Sequence, residues 1–235
     1  MNRHDYPCII AHRCGGLLAP ENSLAGLRVS ADLGCRAVEF DVMLSADGEP
    51  VLMHDDTVDR TSTGRGLVSA MSLAELRQCD IGGEPVPRLA EALLLCQRLG
   101  LWANIELKLP EKADAKVFGG RLGKYLAAHW SGVGVISSFS TVALQAAQRA
   151  APMFGYAWLI DSVPQDWRAT AGDLKLRAIH ACAEALNPQI CQSLQAAGLL
   201  LAAYTVNDRE PGDRLLADQV AIFTDRPALW LTREM

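Results

Sequence analysis

Two acids, Glu39 and Asp41, sit two residues apart in "VEFDV", inside a run otherwise made of Val, Phe and Met. In an extended segment side chains alternate, so both carboxylates point to the same face. A third acid, Glu106 in "NIELK", holds a comparable place in a later apolar run, and Lys108 shares its face. Like charges converging in apolar surroundings need a compensating cation. Arg13, Arg36 and Lys108 could supply it as rim salt bridges. Three carboxylates at corresponding strand ends, with no cysteine among them, instead suit one hard, oxygen-preferring divalent cation: Mg²⁺ or Ca²⁺, with Mn²⁺ also admitted.

The five histidines separate in the same way. His12 and His54 each end an extended apolar segment, beside Arg13 and Asp55, and flank the acids in sequence. Imidazoles next to such a site suit acid and base roles near neutral pH. His4 reads as a terminal residue without a role, and His129 as a helix-end residue able to cap carbonyls. His180 in "AIHAC" reads as an interior histidine with its hydrogen bonds satisfied. "SSFS" (Ser137 to Ser140) and "TVND" (Thr205 to Asp208) also fall at strand ends, where helix capping accounts for them at least as well as a polar pocket does. No G-x-S-x-G, P-loop or H-E-x-x-H pattern is present.

The elements that must position these residues follow from periodicity. Short apolar runs at Cys8 to Ala11, "AVEFDVML", "LWANIELK", "VGVISSF", "FGYAWLI", "LRAIHAC", "LLLAAYTV" and "AIFTD" read as buried strands. Amphipathic helices alternate with them, including "NSLAGLRVSADLG" with Asn22 or Ser23 as N-cap and Gly34 as stop, "RLAEALLLCQRLG", Lys112 to Trp130 and "TVALQAAQRA". "PVLMHDD", after the Asp47-Gly48 turn, and the helix "SLAELRQCD" form an excursion outside the alternation. Eight strand and helix pairs remain, the count of a (β/α)₈ TIM barrel with a small hairpin/helix excursion after the second barrel strand. A doubly wound open sheet is the alternative. In a barrel, ionisable groups at the C-terminal strand ends define the site.

At 235 residues and 50% hydrophobic composition, the chain fits a single domain over 1–235. Its net charge of −5 and lack of Lys/Arg clusters disfavour a nucleic-acid partner. No apolar run reaches membrane-span length, and "MNRHDYPCII" lacks a signal peptide's apolar stretch. Seven cysteines without a C-x-x-C pair indicate neither a disulfide framework nor a zinc cluster. A cytoplasmic location is expected; the oligomeric state is left open.

The blocks "AHRCGGLLAPENS", "VEFDVMLSADGEPVLMHDDTVDRTSTGRG", "NIELK", "SSF", "AYTVND" and "FTDRP" resemble, in order, the motifs of bacterial glycerophosphodiester phosphodiesterases. The resemblance implies a (β/α)₈ barrel that uses a divalent cation to hydrolyse a small-molecule glycerophosphodiester to sn-glycerol 3-phosphate and an alcohol. Carried over by motif, His12 and His54 match the catalytic histidines, Glu39, Asp41 and Glu106 the metal carboxylates, and Arg13 and Lys108 the phosphate-contacting cations. A lysophospholipase D or a cyclic-phosphate-forming phospholipase on the same barrel is the alternative. A non-catalytic glycerophosphodiester-binding protein is a further one, against which the presence of both histidines and all three acids argues. Two departures stand out. Cys14 replaces the glycine that usually follows His-Arg, so the thiol is expected either to approach the site or to change the loop. The segment 79–87, "CDIGGEPVP", is short and lacks an aromatic cover, which leaves the alcohol side of the site open.

Overall fold

The computed structural model describes residues 6–231, so His4 lies outside the described residues. The strands are β1 (Ile9–Ala11), β2 (Ala37–Leu44), β3 (Pro50–Leu52), β4 (Trp102–Leu107), β5 (Gly134–Ser138), β6 (Gly155–Ile160), β7 (Ala178–Cys182), β8 (Leu200–Tyr204) and β9 (Ala221–Thr224). All but β3 run parallel, in the order β1-β9-β8-β7-β6-β5-β4-β2, and pairing of Ala11 with Val38 closes the ring between β1 and β2. The result is a closed eight-stranded parallel barrel. β3 lies outside it, antiparallel to the end of β2 with Val42 opposite Leu52.

The helices are α1 (Leu24–Leu33), α2 (Leu73–Leu76), α3 (Leu89–Leu99), α4 (Ala115–His129), α5 (Thr141–Ala150), α6 (Trp167–Asp173), α7 (Pro188–Ala196) and α8 (Arg209–Ala217). Beyond β9 the eighth helix that the strand and helix count calls for is a single 3₁₀ turn, Pro227–Leu229. Strand alternation divides the core in two. The outward set of β2 and β4, including Val38, Phe40, Ile105 and Leu107, packs with Leu27, Leu89 and Leu122 of the helix layer. Burying one such side chain contributes about 1.5–3 kcal/mol. Inward residues Ile10, Trp102, Val135, Leu200 and Phe223 pack with Tyr6 inside the barrel. The interior is therefore filled, and ligands have access at the rim.

Local signals set the helix ends near the site. Ser23, not Asn22, caps α1 by accepting from the Gly26 amide, and Gly34 ends it in the left-handed region at φ 92°. The expected helix over "SLAELRQCD" shrinks to the four residues of α2. Its capping box, Ser72 with Glu75, is intact, but only Leu76 is buried within it. Past that point the buried residues are Cys79 and Ile81, two apart, and Asp80 bridges to Pro85. An alternating burial pattern thus replaces the helical one.

Candidate active site

Glu39 and Asp41 on β2 and Glu106 on β4 point inward at the C-terminal end of the barrel, Asp41 directly beside Glu106 in register. One oxygen from each lies within 4.8 Å of the others. All three are buried. Burial, reinforced by Asp41 and Glu106, raises the Glu39 carboxyl well above its ordinary value. Glu106 is pushed up to about 7, again by burial first and Asp41 second. Oε1 of Glu39 has no hydrogen-bond partner, and Oε1 of Glu106 has only the Lys108 ammonium beside it. Converging, desolvated, partly unpartnered carboxylate oxygens are the donor set of a hard divalent cation, and the site fits one. The alternative of rim salt bridges is met only in part. Lys108 Nζ lies 3.3 Å from Glu106 and 3.6 Å from Asp41, and Arg13 Nε 4.0 Å from Asp41. Arg36 borders a separate groove with Tyr6 and Trp102, among the residues at the start of the strands.

His12 and His54 face this triad from different elements. His12 follows β1; its Nδ1 lies 2.7 Å from Asp225 Oδ1, and its Nε2 3.9 Å from Glu39 Oε2. A carboxylate only accepts, so Nδ1 carries a proton and Nε2 faces the acids. Asp225 follows β9 and is itself held, accepting from Asn207 Nδ2 at 2.8 Å while its amide donates to Asn207 Oδ1. The bond to His12 keeps the Asp225 carboxyl below its usual range. His54, past β3, repeats the arrangement. Its Nδ1 donates to Asp55 Oδ1 at 2.8 Å, and its Nε2 accepts from Lys108 Nζ at 2.9 Å. Burial lowers the His54 pKa, which favours the neutral ring. Burial alone would also lower that of Lys108, but Glu106 and Asp41 outweigh it and hold the ammonium charged.

The loop after β1 makes two successive left-handed residues, Arg13 at φ 48° and Cys14 at φ 77°. This bend aims the Arg13 amide at Glu39 Oε2, 2.8 Å away, and its carbonyl accepts from the Asn22 amide. Asn22 in turn brackets Asp41, donating from Nδ2 to Oδ2 and accepting the Asp41 amide. The Cys14 thiol does not enter the site: it is fully buried against α1, where a Cβ on Gly26 would lie 2.8 Å from the Cys14 Cβ. Burial raises its pKa, so it stays a protonated core group.

These groups surround one cavity of about 200 Å³, lined on the acid side by His12, Arg13, Glu39, Asp41, His54, Asn104, Glu106 and Lys108. All seven residues singled out from the sequence are brought together there. The opposite wall is Phe139, Leu159, Tyr204, Thr205 and Phe223, with Phe139 edge-on to Tyr204. Apart from Thr205 of "TVND", sequence reasoning missed this wall. Its signal was parity, since Phe139 follows Ser137 on the inward side of β5. Asp225, Asn207, Asn22 and the Asp55 partner of His54 were missed too, although "FTD" and "TVND" stood out as strand ends. Ser138 and Ser140 serve structure, bonding the Leu107 carbonyl and capping α5. His129 bonds the Tyr125 carbonyl, as a helix-end residue. His180 is only half satisfied: Tyr6 bonds Nε2, Nδ1 has no partner, and burial lowers the ring's pKa to about 3. Residues 79–87 do not line the cavity; Gly82 packs on Pro20, and Glu84 holds Arg28 and the Ala25 amide.

Known proteins are similar to this chain in fold and in sequence. A phosphodiesterase of Oleispira antarctica, solved in complex with the product sn-glycerol-3-phosphate, superposes with a TM-score of 0.88 at 33% identity, 94% of each chain being covered. A glycerophosphodiester phosphodiesterase of Thermotoga maritima shares the fold, with a TM-score of 0.80 at 20% identity over 97% of this chain and 98% of that one. In sequence, the glycerophosphodiester phosphodiesterase of Caldanaerobacter subterraneus is 29% identical over 233 residues, 93% of this chain and 94% of its own. No described helix is long and apolar enough to cross a membrane. The sequence pattern of the glycerophosphoryl diester phosphodiesterase family matches residues 12–229, a span that begins at His12 and includes both histidines and all three acids. This chain belongs to that family of hydrolases.

Proposed function

We propose that this chain hydrolyses glycerophosphodiesters to sn-glycerol 3-phosphate and an alcohol, with His12 and His54 sharing the proton transfers. The observation that carries the reading is the pair of imidazoles. Each is held through Nδ1 by an aspartate and turns Nε2 into the cavity that holds the acid triad. Glu39, Asp41 and Glu106 would hold a divalent cation, Mg²⁺ or Ca²⁺ with Mn²⁺ as the third option. Bound there, it would withdraw charge from the phosphoryl oxygens.

Arg13 and Lys108 bind the non-bridging oxygens of the diester. Two fixed cations on an otherwise acidic chain confine anion affinity to this point. His12, whose Nε2 makes no hydrogen bond and faces the cavity, accepts the proton of the attacking oxygen. His54 donates to the departing alcohol from its protonated form, which requires Lys108 Nζ to leave Nε2 for the phosphoryl oxygens. Each transfer is worth roughly 10²–10⁴-fold. Phe139, Leu159 and Tyr204 face the carbon skeleton of the substrate. The test is a coupled assay for sn-glycerol 3-phosphate across glycerophosphocholine, glycerophosphoethanolamine and glycerophosphoglycerol, with and without chelator. Chelator-sensitive release of glycerol 3-phosphate is expected. Release of a cyclic phosphate, or turnover unaffected by metal removal, would overturn the mechanism.

A further inference from the structure

One side chain outside the cavity touches the supports of both a phosphate cation and a proton-transfer histidine. Arg60 is half exposed and does not line the cavity. Its guanidinium grips two carboxylates at once. Nε and NH2 donate to Asp55 Oδ2 and Oδ1 at 2.7 and 2.9 Å, and NH1 and NH2 donate to Glu21 Oε2 and Oε1 at 2.8 and 2.7 Å. Both contacts are two-pronged, the geometry in which arginine orients a carboxylate as well as attracting it.

Each of those carboxylates has a second duty. Asp55 Oδ1, besides accepting from Arg60, accepts the Nδ1 proton of His54. The Arg60 contact holds Asp55 ionised, far below its ordinary range. Glu21 turns both oxygens to Arg13, each 3.1 Å from NH1. Occupying NH1 leaves NH2 as the end of the Arg13 fork without a hydrogen bond, while the buried Nε lies 4.0 Å from Asp41 Oδ2. The chain His54, Asp55, Arg60, Glu21, Arg13 is thus continuous, each link a charge-assisted hydrogen bond. It joins the loop after β1 to the loop after β3, two segments that no strand pairing connects directly.

We infer that Arg60 is a positioning residue for this reaction: through Asp55 it sets the orientation and tautomer of His54, and through Glu21 it sets which edge of Arg13 meets the phosphoryl group. The inference rests on the proposed function. An exposed ion pair with no such role is worth little, and its loss changes stability slightly and turnover not at all. A supporting residue that orients a working imidazole typically costs 10–100-fold when removed.

The experiment compares wild type, Arg60→Gln, Arg60→Lys, Glu21→Gln, Asp55→Asn and the double variant Arg60→Gln/Asp55→Asn. Glycerophosphocholine is the substrate and sn-glycerol 3-phosphate the competitive inhibitor. Arg60→Gln should lower kcat by about 10–100-fold and weaken glycerol 3-phosphate inhibition by about tenfold. Arg60→Lys should not restore both losses, because an ammonium cannot engage two carboxylates in the fork geometry. Glu21→Gln should reproduce the inhibitor effect and Asp55→Asn the kcat effect. The double variant should turn over no more slowly than Asp55→Asn alone. A folded Arg60→Gln enzyme with both constants within about twofold of wild type, complete rescue by lysine, or multiplicative losses in the double variant would overturn the inference. If Arg60→Gln does not fold, Glu21→Gln and Asp55→Asn each still read one arm, and normal constants in both would overturn it as well. Wild type that releases no glycerol 3-phosphate from any glycerophosphodiester defeats the proposed function instead.

Discussion

Replacing Glu106 by glutamine should stabilise the metal-free protein, and by an amount that grows with pH. Glu106 is 8% exposed, with Asp41 and Glu39 beside it, and its carboxyl is raised from 4.5 to about 7. A carboxyl whose folded value lies above its unfolded one binds more protons when folded. Its contribution is therefore fully present below pH 4.5 and is lost as pH rises through 7. Integrating between pH 6 and pH 8, wild type loses about 1.3 kcal/mol through this group. For a domain of this size that corresponds to about 3–5 °C in Tm. His180 works in the opposite direction. Its value falls from 6.5 to about 3, so it is charged only on unfolding at pH 6, and it returns about 0.8 kcal/mol over the same interval. The comparison of variant with wild type removes the His180 contribution, which both proteins share. The assay is thermal unfolding of chelated wild type and Glu106→Gln at pH 6 and pH 8, repeated with saturating Mg²⁺ or Ca²⁺. The Tm gap should widen in favour of the variant at pH 8. The cation should raise the wild-type Tm, by about 2.7 kcal/mol equivalent at a hundredfold excess over Kd, and should do little for the variant. Parallel pH dependences, or equal stabilisation of both proteins by the cation, would refute the reasoning.

If His54 protonates the alcohol, His54→Ala should lose roughly 10²–10⁴-fold on glycerophosphocholine yet recover most of that on an aryl glycerophosphodiester, whose leaving group needs no proton. His12→Ala should stay impaired on both, and equal recovery of the two variants would exclude the division. Cys14→Gly should fold and keep kcat within about twofold, since relief of a left-handed residue, about 1–2 kcal/mol, offsets the lost burial of a small side chain. Cys14→Val, β-branched at φ 77°, should be the less stable of the two in denaturant titrations; the reverse order, or a large kcat loss in Cys14→Gly, would count against a purely structural thiol.

Much of the barrel was legible because its strands are short apolar runs buried on both faces, and polar letters inside such runs have to mean something. Glu39, Asp41 and Glu106 were conspicuous for that reason, and so were His12 and His54 at the ends of theirs. The supports were not legible. Asp225 meets His12 across 213 positions and Arg60 meets Glu21 across 39, and nothing in the local pattern of either acid names its partner. Asn22 looked like an N-cap because asparagine before a helix usually is one; only ring closure reveals that it brackets Asp41. The helix after Ser72 failed for a different reason. Its capping box is a real start signal, but a start does not fix a length when the next buried residues follow an alternating pattern.

The closure of the ring through β1 has a consequence for how activity is acquired. β1 is three residues long, pairs with β2 at one position, and takes the rest of its register from β9 near the other end of the chain. The entropy of joining segments so far apart must be met before their contacts return anything, so such contacts form late. His12 and Arg13 ride on β1, and Asp225 on the segment just past β9. During synthesis Glu39, Asp41 and Glu106 are present long before residue 225 leaves the ribosome. The chain can gather its carboxylates early, but His12 has no orienting partner until synthesis has passed residue 225. The first turnover of a newly folded molecule is therefore a report that β1 and β9 have met.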